Sequence, residues 1–192
     1  MRSMADLTLP FKKITLEFVK LGLVRAGFAR TASFVVAACV LATAQSSPQV
    51  HLDAAGLAPR PIEELTGTTI ARHYALAWQY MTGALESGRT DALGEEFVGS
   101  AKDRLIRRIG EQNQTGVHVR IVDHGHRLKA IFYSADGAAM QLLDQAQLEI
   151  QTFDGKKLID TQNAPQEYMV LMTPGADRWY VRGLEEVSAK TF

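Results

Sequence analysis

The sequence has little cysteine, no excess of charge of either sign and no apolar run long enough for a membrane span. Its 192 residues contain one cysteine, and 21 basic residues balance 21 acidic ones. A lone cysteine excludes a disulfide-stapled scaffold. A net charge of zero excludes a strong field for nucleic acid or an anionic membrane surface. With 46% hydrophobic residues, the length suffices for one domain with a sizeable core.

The charges are unevenly distributed along the chain, and the start of the chain has the pattern of an export signal. Residues 1–44 hold six basic and two acidic side chains, so they carry +4 and the rest carries −4. The small and apolar stretch TASFVVAACVLATA, residues 31–44, follows this basic flank and precedes the polar QSSPQ. This arrangement predicts a signal peptide cleaved before Gln45 and an exported, periplasmic or secreted protein. Two alternatives place it at a membrane: an uncleaved anchor formed by residues 31–44, or a lipidated Cys39 in the lipobox-like VAAC.

The mature chain divides into a linker or arm over residues 45–64 and one domain over residues 65–192. Apolar residues at spacings of three and four predict a first helix from Leu65 to about Glu86. Thr90 and Asp91 open a second, short helix, and a third is expected from Ala101 to about Gln112.

After Gly116 the pattern changes to the alternation that is typical of strands. Six strands are expected, joined by tight turns such as Asp136-Gly137; they cover residues 117–121, 128–133, 140–153, 157–159, 167–173 and 177–187. Helices followed by antiparallel strands predict an α+β fold, in which a curved sheet wraps over the N-terminal helices.

Two segments resemble the nuclear-transport-factor-2-like superfamily, which includes ketosteroid isomerase and the SnoaL-like cyclases. They are ALESGRTDAL followed by Phe97, and the terminal strand DRWYVR at residues 177–182. Arg89 departs from the acid that the family often has there. The resemblance implies a cone-shaped, cystatin-like fold with the helices in the concave face of the sheet. It implies no single function, because the same cone hosts both enzymes and non-catalytic modules.

The enzymes of this superfamily place a carboxylate or a His/Asp pair inside the cone, and Asp144 is the candidate here. Asp144 falls on the apolar parity of the long third strand, where it could act as a general base together with His73 or Tyr74 of the first helix. A β-bulge near Leu142-Leu143, which would return Asp144 to solvent, is the favoured interpretation, because curved sheets of this kind often contain one.

The segment Asp123-His124-Gly125-His126 offers His124 and His126 as weak metal-ligand candidates. The favoured interpretation is a turn between two strands, with no metal. The sequence also has no phosphate loop, no dinucleotide fingerprint and no G-x-S-x-G motif. It therefore predicts no cofactor.

The favoured function is an exported, non-catalytic module that binds a small apolar ligand or a protein partner in the cone or on the sheet, without nucleic acid. An isomerase, dehydratase or cyclase that uses Asp144 is the alternative, so catalysis stays open. A homodimer, and a membrane contact only through the N-terminus, are also expected. The predicted ligand-binding residues are mainly aliphatic and aromatic: Trp78, Leu148, Ile150, Tyr168, Val170, Met172 and Trp179.

Overall fold

The structure, a computed structural model, describes residues 48–187. The predicted signal peptide, its cleavage site before Gln45 and Cys39 lie outside the described residues. Within residues 48–187, no helix is both long and apolar enough to cross a membrane.

Two α-helices and a short 3-10 helix make up the helical layer. Helix α1 spans Glu64–Ser87 and α2 spans Gly99–Thr115, with a 3-10 helix at Asp91–Glu95 between them. Helix α1 ends where Gly88 adopts a left-handed conformation, φ 71°, and donates its N–H to the carbonyl of Ala84. The second predicted helix is thus a single 3-10 element, because five residues that include a glycine are too few to sustain an α-helix.

Five strands form one mixed sheet in the order β1-β2-β3-β4-β5, in which only β1 and β2 run parallel. They are β1 Val50–Asp53, β2 Val117–Tyr133, β3 Met140–Asp154, β4 Lys157–Pro174 and β5 Trp179–Glu186. The α+β architecture predicted from the sequence is confirmed, with the helices on one face of the sheet.

The strands are longer and fewer than the alternation pattern predicts. The expected strands 117–121 and 128–133 are one strand, β2, which continues through a bulge. The expected strands 157–159 and 167–173 are likewise one strand, β4. This strand accommodates Pro165 because β5 pairs with β4 from Tyr168 onwards, so that Pro165 lies on an open edge where a missing N–H costs little.

The segment expected as a linker contributes a strand to the sheet. Residues 50–53 form β1 and pair in parallel with residues 126–129 of β2. This strand satisfies backbone groups along the outer edge of β2. Four residues are too few to show a periodicity that would reveal it in the sequence.

The core lies between the inner stripe of α1 and the covered face of the sheet. The side chains that recur at spacings of three and four in α1 are all at most 5% exposed: Ile70, Tyr74, Ala77, Trp78 and Met81. They pack against the inward residues of β3 and β4, among them Leu142, Val170 and Met172, which are fully buried. Full burial of one such side chain stabilises the fold by about 1.5–3 kcal/mol.

Candidate functional site

A chain of hydrogen-bonded polar side chains crosses this apolar core. The Tyr74 hydroxyl of α1 donates to Asp144 Oδ2 of β3 at 2.7 Å. His126 of β2 bonds the same oxygen through Nδ1 at 2.8 Å, and its Nε2 bonds Asp123 Oδ2 at 2.9 Å. We call these four residues the Asp144 cluster. Because both ring nitrogens of His126 face carboxylate oxygens, both are donors, and the imidazole carries a proton on each.

A β-bulge in β2 turns His126 into the core. Asp123 pairs with Leu148 and His126 pairs with Ala146, so two residues of β2 stand opposite one of β3. Gly125 occupies this bulge at φ 124°, a conformation that side chains rarely adopt. Its N–H donates to Asp123 Oδ1 at 2.8 Å. The segment expected to be a turn between two strands is therefore a bulge within one strand.

The electrostatics of the Asp144 cluster favour a charged imidazole. Burial alone would lower the pKa of His126, but the hydrogen bonds to Asp123 and Asp144 raise it from 6.5 to about 9. Burial and the neighbouring Asp144 carboxylate also raise the pKa of Tyr74 well above its ordinary value. The Trp78 ring lies 4.4 Å from the His126 ring, where its face further stabilises a cation.

Three of the four residues of the Asp144 cluster are closed to solvent, whereas the Asp123 side chain is 10% exposed. The side chains of Asp144 and His126 are 0% exposed, and Tyr74 is fully buried. Two buried atoms beside them, Asp144 Oδ1 and Trp78 Nε1, have no hydrogen-bond partner among the described residues. The arrangement can hold a proton between two carboxylates, but no substrate can touch Asp144 in this conformation.

An open groove lies where the C-terminal half of α1 meets α2 and the sheet. Its volume is about 490 Å³ and we call it the α2 groove. Its floor is apolar and is formed by Met81, Leu85, Leu105, Ile121, Tyr168 and Leu184. Its rim carries Arg104, Arg107 and Arg108 of α2 together with Glu111 and Glu186. A groove of this volume with an apolar floor is typical of ligand sites.

The arginines of the rim differ in their pairing. Arg104 donates Nη2 to Glu185 at 2.7 Å. Neither Arg107 nor Arg108 has an ion pair with another of the described residues. Burial and the nearby Glu186 raise the pKa of Tyr168 on the groove floor to about 12, so its hydroxyl stays a neutral donor.

The comparisons with known proteins bear on the fold. No family model and no curated protein matches the sequence. Among solved structures, the chain is similar to the intermembrane space region of the chloroplast protein ARC6, with 15% identity over 67% of this chain and 98% of that one, at a TM-score of 0.56. The described part of the chain therefore shares the fold of that region. At this identity the likeness concerns the fold alone, and function must be argued from side chains.

Two Streptomyces proteins are weaker matches. One is a protein of the NTF2-like family from Streptomyces avermitilis, with 11% identity, a TM-score of 0.43 and coverage of 62% of this chain and 96% of that one. The other is ActVI-ORFA from Streptomyces coelicolor, with 11% identity, a TM-score of 0.45 and coverage of 65% and 98%.

The structure brings together part of the predicted catalytic set. Asp144 is buried and bonds Tyr74, so no bulge at residues 142–143 returns it to solvent. His73 is not its partner. The His73 Nδ1 atom lies 3.0 Å from Glu96 Oε2, because its position on α1, one residue before Tyr74, directs the ring away from the inner stripe.

The His73–Glu96 pair forms a second buried polar contact at the edge of the core. Both residues are at most 9% exposed. Burial raises the pKa of Glu96 despite the hydrogen bond from His73.

The metal-ligand candidates do not converge. His124 is exposed, whereas His126 is buried and both its ring nitrogens face carboxylates on opposite sides. Over residues 48–187 no group of three or more His, Cys, Asp or Glu side chains is arranged to hold a metal ion. The residue that sequence reasoning missed as a partner of Asp144 is thus His126, whose signal was its adjacency to Asp123 and Gly125 in a bulge-forming tetrapeptide.

The predicted ligand-binding residues are mostly core. Trp78, Leu148, Val170, Met172 and Trp179 are at most 7% exposed and pack inside the cone. The remaining two, Ile150 and Tyr168, are half-buried, and Tyr168 forms part of the floor of the α2 groove.

Proposed function

We propose that the chain is an exported, non-catalytic binding module that uses the α2 groove as its binding site. One observation supports this more than any other. The candidate general base, Asp144, is sealed inside a core that the protein's own side chains fill. A general base must come within hydrogen-bond reach of the proton that it abstracts, directly or through one water. A carboxylate with no exposed surface does not meet that condition.

The Asp144 cluster has a structural role in this proposal. His126 links β2 to β3 through Asp144, and Tyr74 ties α1 to the same carboxylate. A buried ionic network of this kind orients the elements that it joins, and removing one partner leaves a charge uncompensated. The cluster therefore fixes how α1 lies on the sheet, which in turn positions one wall of the α2 groove.

An enzyme of the isomerase, dehydratase or cyclase kind is the second candidate. The observation that favours it is the pair of unpartnered buried atoms, Asp144 Oδ1 and Trp78 Nε1, beside the Tyr74 hydroxyl. Unpartnered polar atoms in a core require an explanation, and catalytic use after an opening motion is one. A catalytic role would require a route for solvent and substrate to Trp78.

Quenching of Trp78 fluorescence by acrylamide distinguishes the two candidates. The chain has two tryptophans, so Trp179→Phe leaves Trp78 as the single reporter, and Trp78→Phe leaves Trp179 as the matched control. We expect time-resolved quenching of Trp78 in the folded chain to be at least tenfold slower than in urea. Quenching at the rate of the unfolded chain would show an open cluster and would contradict the binding module.

Export is proposed from the leader over residues 1–44. Expression of the full chain in a bacterium, followed by fractionation and N-terminal sequencing, is expected to yield an exported product that begins at Gln45. A product that keeps residues 31–44, or one that begins at a lipidated Cys39, would contradict cleavage before Gln45.

A further inference from the structure

We propose that the α2 groove binds a carboxylate at the end of an aliphatic chain. This inference rests on the proposed function and adds the chemical class of the ligand. The aliphatic chain lies on the apolar floor, and the carboxylate accepts hydrogen bonds from Arg107 and Arg108 at the rim.

The first step is the placement of the arginines. Arg104, Arg107 and Arg108 are spaced by three and four residues on α2, so they project from one side of the helix. All three line the groove. Their mutual repulsion is relieved at Arg104 by Glu185, whereas Arg107 and Arg108 have no carboxylate partner among residues 48–187.

The second step is the chemistry of the unpaired groups. A guanidinium presents five N–H donors in a planar fork that matches the two oxygens of a carboxylate. Glu111 and Glu186 belong to the same lining and pair with neither arginine. The charge of Arg104 is balanced by Glu185, so the guanidinium groups of Arg107 and Arg108 are the ones left to bind a ligand carboxylate. A dianionic phosphate would meet repulsion from the two glutamates.

The third step is the floor. Leu85 and Leu105 of the helices face Ile121 and Leu184 of the sheet across the groove. Leu184 is only half-buried and so keeps apolar surface in contact with water. Covering that surface with methylene groups is favourable, and each buried methylene is expected to lower the dissociation constant about three- to fourfold.

The experiment measures binding of octanoate, decanoate and dodecanoate by calorimetry, below their micellar concentrations. We expect dodecanoate to bind about tenfold or more tightly than decanoate, and decanoate than octanoate. Methyl dodecanoate and dodecyltrimethylammonium, which have the same chain without a carboxylate, are expected to bind at least fivefold more weakly.

Variants then locate the site. Arg107→Gln and Arg108→Gln are expected to weaken dodecanoate binding about fivefold each and to leave methyl dodecanoate unchanged. Leu184→Asn should weaken both ligands. Arg72→Gln is the matched control, because Arg72 is an exposed arginine of α1 that does not line the groove, and it should change neither.

The outcomes separate this inference from the proposed function. If all three head groups bind equally, or if dodecanoate binding is unaffected by Arg107→Gln and Arg108→Gln, the proposed recognition of a carboxylate is wrong. The binding module would still stand. If none of the probes binds while Trp78 stays protected from acrylamide, the proposed ligand class is wrong. The groove would then be a site for a polypeptide, and the binding module would stand. Failure of both experiments would overturn the binding module itself.

Discussion

Replacing His126 with glutamine removes the positive charge that lies between two buried carboxylates. We expect His126→Gln to destabilise the fold by an amount that depends strongly on pH. At low pH the imidazolium of the unchanged protein offsets the charges of Asp123 and Asp144. Glutamine leaves those carboxylates without a cation, which costs about 3–5 kcal/mol when a buried pair is broken.

The pH dependence follows from the raised pKa of His126. A shift from 6.5 to about 9 corresponds to about 3 kcal/mol of stability. Because the folded-state pKa is above the unfolded-state value, this stability is fully present below pH 6.5 and is lost as the pH rises through about 9. The gap between the unchanged protein and His126→Gln should therefore narrow by about 3 kcal/mol between about pH 6 and about pH 10.

Urea unfolding followed by circular dichroism, repeated across that pH range, measures the gap. His124→Gln is the control, because His124 is exposed in the same bulge, and its stability should parallel that of the unchanged protein at every pH. A gap that stays constant with pH would refute a charged His126. If His126→Gln does not fold, Asp144→Asn serves instead, because it removes one of the two hydrogen-bonded carboxylates that raise the histidine pKa.

Two further predictions concern packing and backbone conformation. Leu142→Ala should lower the free energy of unfolding, measured in urea, by about 2–5 kcal/mol because the Leu142 side chain is fully buried. The control Leu158→Ala, at a residue that is 48% exposed, should lower it by less than about 0.5 kcal/mol. Equal losses would contradict the assigned inner face of the sheet. Gly125→Ala should lower the free energy of unfolding by about 1–3 kcal/mol, because Gly125 has a positive φ and the added Cβ would lie 3.2 Å from the carbonyl oxygen of Gln49. The control Gly110→Ala should be neutral or stabilising, because Gly110 lies inside α2 and no atom lies within 4 Å of the added Cβ. A tolerated Gly125→Ala would contradict the bulge.

The helical layer could be predicted from the sequence because its signals are local. The apolar stripe of α1, from Ile70 to Leu85, repeats over about four turns, and Gly88 ends the helix because it readily adopts a left-handed conformation. Strand lengths could not be predicted in the same way. A bulge in β2 and Pro165 on the open edge of β4 both resemble strand ends in the sequence, and only pairing with neighbouring strands shows that the backbone continues.

Two of the four residues of the Asp144 cluster could be predicted, because they lie in regular parts of their helix or strand. Asp144 lies in a regular part of β3, so its parity correctly indicated an inward side chain. Tyr74 follows from the stripe of α1. His126 lies beyond an irregularity that changes the parity of β2, so alternation counted from Val119 and Ile121 places it on the wrong face. His73 lies one residue before Tyr74 on α1, outside the inner stripe, so the structure pairs it with Glu96 and not with Asp144.

The bulge at residues 124–125 also determines where the chain tolerates a change of length. Before it, the inward residues of β2 have odd numbers, as at Ile121; after it, they have even numbers, as at Leu128 and Ala130. Deleting Gly125 alone would give one regular alternation in which the later inward side chains of that stretch still face the core, whereas deleting a residue from a regular part of β2 would turn the inward side chains on one side of the deletion towards water. The exposed turn at Gly155, which joins two strands, could gain or lose a residue at far smaller cost.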